Sequence, residues 1–215
     1  ARSKIGKPCP AGNQNRPGRE GVSLFEIVLP AEDAIRGRLA QLSGAPYSYA
    51  EVGALEHPVF PPGYRVDRHR QLLGQGAACH ERAKAALQRW EMFNLAWIRL
   101  HPPAPPIAAG TSMGISARFL GVWNLNFCRI AYLVEDKGEV ERFGFALGTL
   151  PGHVLSGEER FTVEWHRADD SVWYHVCAFS RPDRLLSRLG YPIVRQLQKR
   201  FASDSHKAMA RATAT

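Results

Sequence analysis

The side chains that could do chemistry are densest between Gly148 and Glu159, in the string GTLPGHVLSGEE. The polar members of this string are Thr149, His153, Ser156, Glu158 and Glu159. An imidazole titrates near neutral pH, so His153 and Glu159 are the first candidates for catalytic residues, as a general base with a carboxylate partner. The alternative is structural: the glycines and Pro151 shape a turn, and Thr149 or Glu159 binds its backbone N–H groups.

Two polar side chains in the predicted strand Leu125–Glu135 are candidates for ligand binding. Strict alternation places Arg129 and Tyr132 on opposite faces of that strand, so we expect only one of them to point to the interior. An interior Arg129 would anchor a carboxylate or a phosphate group. The alternative is an exterior salt bridge from Arg129 to Glu141 or Glu164 on adjoining strands.

The ligand-binding candidates also include Thr149, Trp90 and Trp173. Two of these side chains are indoles, which could form the flat apolar walls of a pocket. A core of this size uses such residues in any case, so packing in the core or at its rim is the alternative for each tryptophan.

The chain carries no pattern that predicts a metal site or a cofactor. Its four cysteines are far apart, and Cys79 and His80 are adjacent on a predicted helix, where they cannot both bind one metal ion. Gly74 and Gly76 precede that helix without the third glycine of a dinucleotide site. We interpret the cysteines as reduced thiols, which predicts a cytoplasmic protein.

The net charge of +8 is concentrated at the two ends of the sequence. Residues 1–20 carry five Lys or Arg and one Glu, and residues 181–215 carry eight Lys or Arg and two Asp. The balanced middle and the absence of a nucleic-acid-binding signature argue against nucleic acid as a partner. Weak contact with an anionic membrane surface is compatible with the basic ends. No apolar run approaches the ~20 residues of a transmembrane helix.

Runs of alternating polarity predict a set of strands in the second half of the chain. They are Thr111–Leu120, Leu125–Glu135, Val140–Thr149, Arg160–Arg167 and Val172–Phe179, after an earlier one at Tyr64–Leu73. Short links make the successive strands antiparallel. In one run, Gly144, Ala146 and Gly148 share a face, which predicts the close approach of another element or a hollow.

Helices are predicted at 31–42, at 77–93 and over Asp183–Arg211, the last with a kink at 190–192. The last helix has an apolar stripe of Leu186, Leu189, Ile193, Leu197, Phe201 and Ala208. A long helix after a run of hairpins should bury that stripe on the concave face of the sheet. We therefore predict a single α+β domain at 21–212, a curved antiparallel sheet gripped by a C-terminal helix, after a basic leader at 1–20.

Several strings also resemble a known family. They are RFGFALGTLPGHVLSGEERFTVEW (142–165), SVWYHVCAFSRP (171–182) and RLGYPIVRQLQKRFASDS (188–205), with YAEVGA (49–54) upstream. Together they are similar to domain-of-unknown-function family nineteen-ninety, over roughly Leu24 to Arg211. The element order resembles the helix-grip, START-like superfamily, in which a sheet and a C-terminal helix enclose an apolar cavity.

The function that these observations favour is binding of a small apolar or amphipathic molecule between the sheet and the C-terminal helix. One alternative is an enzyme of the cyclase, dehydratase or hydrolase type that uses His153 and Glu159. Another is an interaction module whose basic leader and helix dock on an anionic surface.

Overall fold

The computed structural model describes residues 25–183 and 191–214, so the predicted leader at 1–20 lies outside the described residues. The described strands are β1 (Phe25–Glu26), β2 (Arg65–Gln75), β3 (Ile98–His101), β4 (Ser112–Phe119), β5 (Val122–Lys137), β6 (Val140–Thr149), β7 (Leu155–His166) and β8 (Ser171–Pro182). The helices are α1 (Glu32–Leu42), α2 (Gly76–Gln88) and α3 (Tyr191–Thr213), and two 3-10 turns span Ala54–Glu56 and Glu91–Phe93.

The strands form one antiparallel sheet in the order β2-β8-β7-β6-β5-β4-β3, with β1 paired to β5. The predicted antiparallel hairpins are confirmed, and β6 has the predicted bounds. The sequence missed β3, whose four residues are too few to show a periodicity. It also placed the start of β7 too late, because pairing with β8 extends the strand back to Leu155 through residues that look like a turn.

The sheet is covered on both faces, and the architecture is the predicted α+β arrangement of a curved antiparallel sheet with a C-terminal helix packed on it. We call the face under α2 and α3 the inner face, and its core includes Phe145, Phe161 and Tyr174. The outer face lies under α1 and the segment 45–64, with Ile35 and Phe179 in its core. β8 is buried on both faces, as expected for a strand covered on both sides.

A β-bulge in β5 corrects the predicted placement of Arg129 and Tyr132. Arg129 pairs with Gly148 and Tyr132 pairs with Ala146, with a register shift between Ile130 and Tyr132. The extra residue reverses the alternation, so both side chains lie on the outer face instead of on opposite faces. The strand was predicted at Leu125–Glu135, but β5 extends beyond both ends of this range, and a bulge leaves no mark in an alternating pattern.

The C-terminal helix α3 is buried only in its second half. Ala202, Ala208 and Met209 are buried, whereas Ile193 in the first half is 52% exposed. The prediction that Ile193 lies in a buried stripe is therefore wrong, and Leu186 and Leu189 fall outside the described residues. No helix among the described residues is both long and apolar enough to cross a membrane.

Candidate functional site

The outer face of β7 carries a buried carboxylate with three hydrogen-bond donors. Glu158 is 2% exposed. Its Oε2 accepts hydrogen bonds from the Tyr49 hydroxyl at 2.8 Å and the Gly53 N–H at 2.9 Å. Its Oε1 accepts one from the Tyr132 hydroxyl at 3.1 Å. Burial first, and then the Glu158 carboxylate, raise the pKa of both tyrosines, so both hydroxyls keep the protons that they donate.

Two glycines allow the segment 45–64 to reach this carboxylate. Gly53 has a φ of 84°, in the left-handed region that glycine adopts without strain, and this conformation directs its N–H to Glu158. At Gly148 an added Cβ would lie 2.4 Å from the Tyr49 hydroxyl oxygen and 2.8 Å from the Tyr47 ring. The small-residue face of β6 therefore admits two aromatic side chains of the outer layer. Strings that carry the family resemblance, YAEVGA, GTLPGH and GEERF, meet at this point.

Thr149 and His153 bind the backbone at the start of β7, on either side of the turn that follows β6. The Thr149 hydroxyl donates to the Gly157 carbonyl at 3.1 Å and accepts from the Gly157 N–H at 3.0 Å. His153 Nδ1 accepts from the Leu155 N–H at 2.9 Å. Burial lowers the pKa of His153 to about 4, so the imidazole is neutral at pH 7. None of the described hydrogen bonds joins His153 to Glu159, so the two catalytic candidates do not form a pair here.

Arg129 closes the C-terminal end of α1. Its Nη2 donates to the carbonyls of Leu42 and Ser43 at 2.6 and 2.8 Å, and its Nη1 donates to the Ala45 carbonyl at 2.9 Å. Its Nε donates to the Ser112 hydroxyl at 3.1 Å. The last carbonyls of a helix lack partners within the helix and attract a cation, so Arg129 caps α1.

Replacing Arg129 with methionine is expected to lower the free energy of unfolding by about 2 kcal/mol, because charge-assisted bonds to carbonyls are lost that water only partly replaces. Chemical denaturation measures this change. Arg118→Met, an exposed arginine on β4, should cost less than about 0.5 kcal/mol. Equal losses in the two variants would contradict the capping role.

The two tryptophan candidates lie on different faces of the sheet. Trp90 is buried in the inner core, 4.8 Å from Phe145 between ring centroids, and its Nε1 donates to the Pro105 carbonyl at 2.9 Å. Trp173 lies on the outer face, where its Nε1 donates to the Ser171 hydroxyl at 2.8 Å. The Arg70 guanidinium carbon is 4.2 Å from its ring centroid. Both indoles lie outside the cleft described below.

One chain of contacts has the composition of a hydrolytic triad. His101 Nε2 is 2.6 Å from the Ser116 hydroxyl, and His101 Nδ1 is 2.9 Å from Glu32 Oε1. A nucleophile must reach a substrate carbonyl, but Ser116 is fully buried. These contacts therefore attach the start of α1 to β3 and β4, and they give no support to hydrolysis.

The inner face carries a different set of charged groups beneath the first half of α3. Asp67, Ala178 and Glu159 occupy neighbouring positions on β2, β8 and β7. Arg195 of α3 binds both carboxylate oxygens of Asp67, at 2.6 and 2.7 Å, which lowers the pKa of Asp67. Burial, reinforced by Asp67, raises the pKa of the partly buried Glu159 to about 7. A carboxyl with this pKa can take up or release a proton near neutral pH.

A cleft of about 280 Å³ opens between the edge strand β2 and α3. The polar side chains at its lining include His69 and Gln71 from β2 and Lys199, Ser203, His206 and Lys207 from α3. Buried Ala202 contributes an apolar wall. The cleft lies at the edge of the sheet, where β2 and the C-terminal helix meet.

The sequence analysis did not predict this cleft, although the sequence shows the pattern of polar residues on each of its two walls. Asp67, His69 and Gln71 alternate on one face of β2, and residues 199, 203, 206 and 207 recur at helical spacing. Neither pattern shows that β2 pairs with β8 and so comes to lie beside α3. Within the described part of the chain, no group of three or more His, Cys, Asp or Glu side chains is placed to hold a metal ion.

Comparison with solved structures gives only distant similarity. Hypothetical protein jhp0584 from Helicobacter pylori aligns with a TM-score of 0.46 and 10% identity, over 73% of this chain and 91% of its own. Ara h 8.0201 aligns with a TM-score of 0.43 and 14% identity, over 70% of this chain and 98% of its own. At TM-scores below 0.5, neither similarity bears on what this chain binds.

Comparison by sequence is more specific. A UPF0548 protein from Dictyostelium discoideum is 40% identical over 158 residues, covering 69% of this chain and 73% of the relative. One from Deinococcus radiodurans is 38% identical over 199 residues, covering 88% of this chain and 98% of the relative. The family model described as "Domain of unknown function (DUF1990)" matches residues 48–208. The predicted resemblance is thus confirmed, and the chain belongs to this family of unknown function, alongside relatives that carry the name UPF0548 protein.

Proposed function

We propose that the chain binds a small amphipathic molecule between the inner face of the sheet and α3, and that the molecule enters through the cleft at β2. The observation that carries this proposal is the cleft itself, whose volume of about 280 Å³ approaches that of small-molecule sites. It lies at the edge of the helix–sheet space, as expected for an entrance to that space.

The way in which α3 is attached supports the same proposal. From Phe201 onwards the helix is held by apolar packing, with the Phe201 ring 5.1 Å from the Phe93 ring between centroids. Its first half is held by polar contacts, namely the Arg195–Asp67 ion pair and a 3.3 Å hydrogen bond from the Gln198 amide to the Ser180 hydroxyl. Ile193 in this first half is exposed, so it offers an apolar surface to the apolar groups of a ligand.

The test begins with native mass spectrometry of freshly purified protein and continues with thermal shifts across a panel of amphipathic compounds. We expect a bound molecule or a raised Tm. Ala202→Leu should fill the cleft and abolish the shift, because Ala202 is a buried part of its lining. Ala212→Leu is the matched control, since it adds the same volume to the same helix at a different hollow. An empty protein with no shift for any compound would overturn the proposal.

A second function, acid–base catalysis on the bound molecule, is favoured by Glu159 alone, because its pKa lies at about 7 on the inner face. The extracted molecule would be incubated with wild-type protein and with Glu159→Gln, and its mass and structure compared. Conversion by the wild type only is the expected result, and no conversion by either would exclude this role.

We also propose a cytoplasmic location. Cys79, Cys128 and Cys177 are buried free thiols among the described residues, which is typical of a reducing compartment. Imaging of the tagged protein in its host is the test, and an extracytoplasmic signal would overturn the assignment.

A further inference from the structure

We propose that the cleft between β2 and α3 is an anion site that binds a phosphate monoester group. This inference rests on the proposed function, because it names the polar part of the amphipathic ligand. The described lining offers hydrogen-bond donors from Gln71, Lys199, Ser203 and Lys207, with the imidazole of His69. A phosphate group has three strongly accepting oxygens and is matched to such a set of donors.

The charge of the lining favours an anion. Among the described residues that line the cleft, none is acidic. The acid nearest in sequence is Asp204, whose Oδ2 accepts a hydrogen bond from Trp97 Nε1 at 3.0 Å. Lys207 Nζ is 3.9 Å from the other Asp204 oxygen, at the limit of an ion pair, and its side chain is 66% exposed. The positive charge at the cleft is therefore only weakly compensated.

His206 forms part of the helix wall of the cleft. It is only 8% exposed, and its Nδ1 donates to the Ala202 carbonyl. Burial lowers the pKa of His206, so its ring is neutral at pH 7. The positive charge that an anion meets in the cleft therefore comes from Lys199 and Lys207.

The two imidazoles join the strand wall of the cleft to its helix wall. The rings of His69 and His206 are 6.1 Å apart between centroids and pack edge to face, so they contact each other and leave no space for a ligand between them. An oxyanion in the cleft would lie against Gln71 of β2 and Lys199, Ser203 and Lys207 of α3, and it would link the strand to the helix. The anchored group would leave the rest of the ligand directed towards the first half of the helix.

The experiment compares four probes by isothermal titration calorimetry on the full chain: inorganic phosphate, decyl phosphate, decanoate and decyl glucoside. We expect decyl phosphate to bind at least about tenfold more tightly than decyl glucoside, and decanoate to lie between them. Tighter binding of decyl phosphate than of inorganic phosphate would indicate a lipid-like ligand. Equal binding of the two would indicate a free phosphate compound, and both results support the anion site.

The variant Lys199→Gln/Lys207→Gln should weaken decyl phosphate binding by about tenfold and leave decyl glucoside unchanged, since each lysine contributes a charge-assisted bond. Arg118→Gln/Lys137→Gln removes the same charge at exposed sites outside the cleft lining and should change neither. Unchanged phosphate binding in the cleft variant, or equal affinity for phosphate and glucoside, would overturn the anion site and leave the proposed function standing. Failure of all four probes to bind would overturn both.

Discussion

Replacing Glu158 with alanine is expected to lower the free energy of unfolding by about 4 kcal/mol. The loss is large because the carboxylate is buried and three donors depend on it: the hydroxyls of Tyr49 and Tyr132 and the N–H of Gly53. Each donor that remains buried without a partner costs about 1–3 kcal/mol, and partial entry of water reduces their sum. The three donors come from two regions of the chain, so the cost appears as detachment of the segment 45–64 from the sheet.

Chemical denaturation measures the total change, and hydrogen exchange at the Gly53 amide tests its origin. Tyr132→Phe removes only one of the three hydrogen bonds and should cost about 1 kcal/mol. Glu135→Ala, at an exposed position on β5, should cost less than about 0.5 kcal/mol. If Glu158→Ala were no worse than Tyr132→Phe, or if the Gly53 amide stayed protected, the carboxylate would not be the anchor of this segment.

Replacing the neighbouring Glu159 with glutamine is expected to change how stability depends on pH. Burial raises the pKa of Glu159 to about 7, whereas an unfolded glutamate titrates near 4.5. Between these values the folded protein holds a proton that the unfolded chain has released, so stability falls as pH rises from 4.5 to 7. The pKa difference corresponds to about 3 kcal/mol. Glu159→Gln should therefore match the wild type at pH 4.5 and exceed its stability by up to about 3 kcal/mol above pH 7.

The measurement is a set of denaturation curves from pH 4.5 to 8.5 for both proteins. The difference between the two pH profiles isolates Glu159, because other buried groups, such as His153 with its pKa near 4, contribute to both profiles alike. Glu135→Gln is the control, and its profile should overlay that of the wild type. A stability difference that does not vary with pH would show that Glu159 is ionised throughout.

The adjacent carboxyls of Glu158 and Glu159 lie on opposite faces of β7 and have different roles. Glu158 faces the outer layer and is matched by donors, so it serves the fold. Glu159 lies on the inner face, beside Ala178 of β8, and burial and Asp67 raise its pKa to about 7, so we propose it as a proton donor or acceptor for a ligand. Because successive side chains of a β-strand point to opposite faces of the sheet, two adjacent residues of β7 belong to a structural site and to a candidate binding site.

Much of the architecture could be predicted from local patterns. The alternation of β6 gave its bounds, and short links between strands made the hairpins antiparallel. The candidate site could be predicted much less well. Thr149 and His153 were recognised as polar residues near glycines, but their hydrogen bonds to Gly157 and Leu155 depend on the three-dimensional form of the turn.

The sequence by itself determined the family, the α+β class and the order of the elements, because these depend on strings and periodicities that are local along the chain. Only the tertiary structure decided which side chains meet. The bulge in β5 brought Arg129 and Tyr132 to one face, and the pairing of β2 with β8 joined residues about a hundred positions apart. Long-range pairing is set by how the whole core packs, so the cleft beside His206 became visible only in the folded chain.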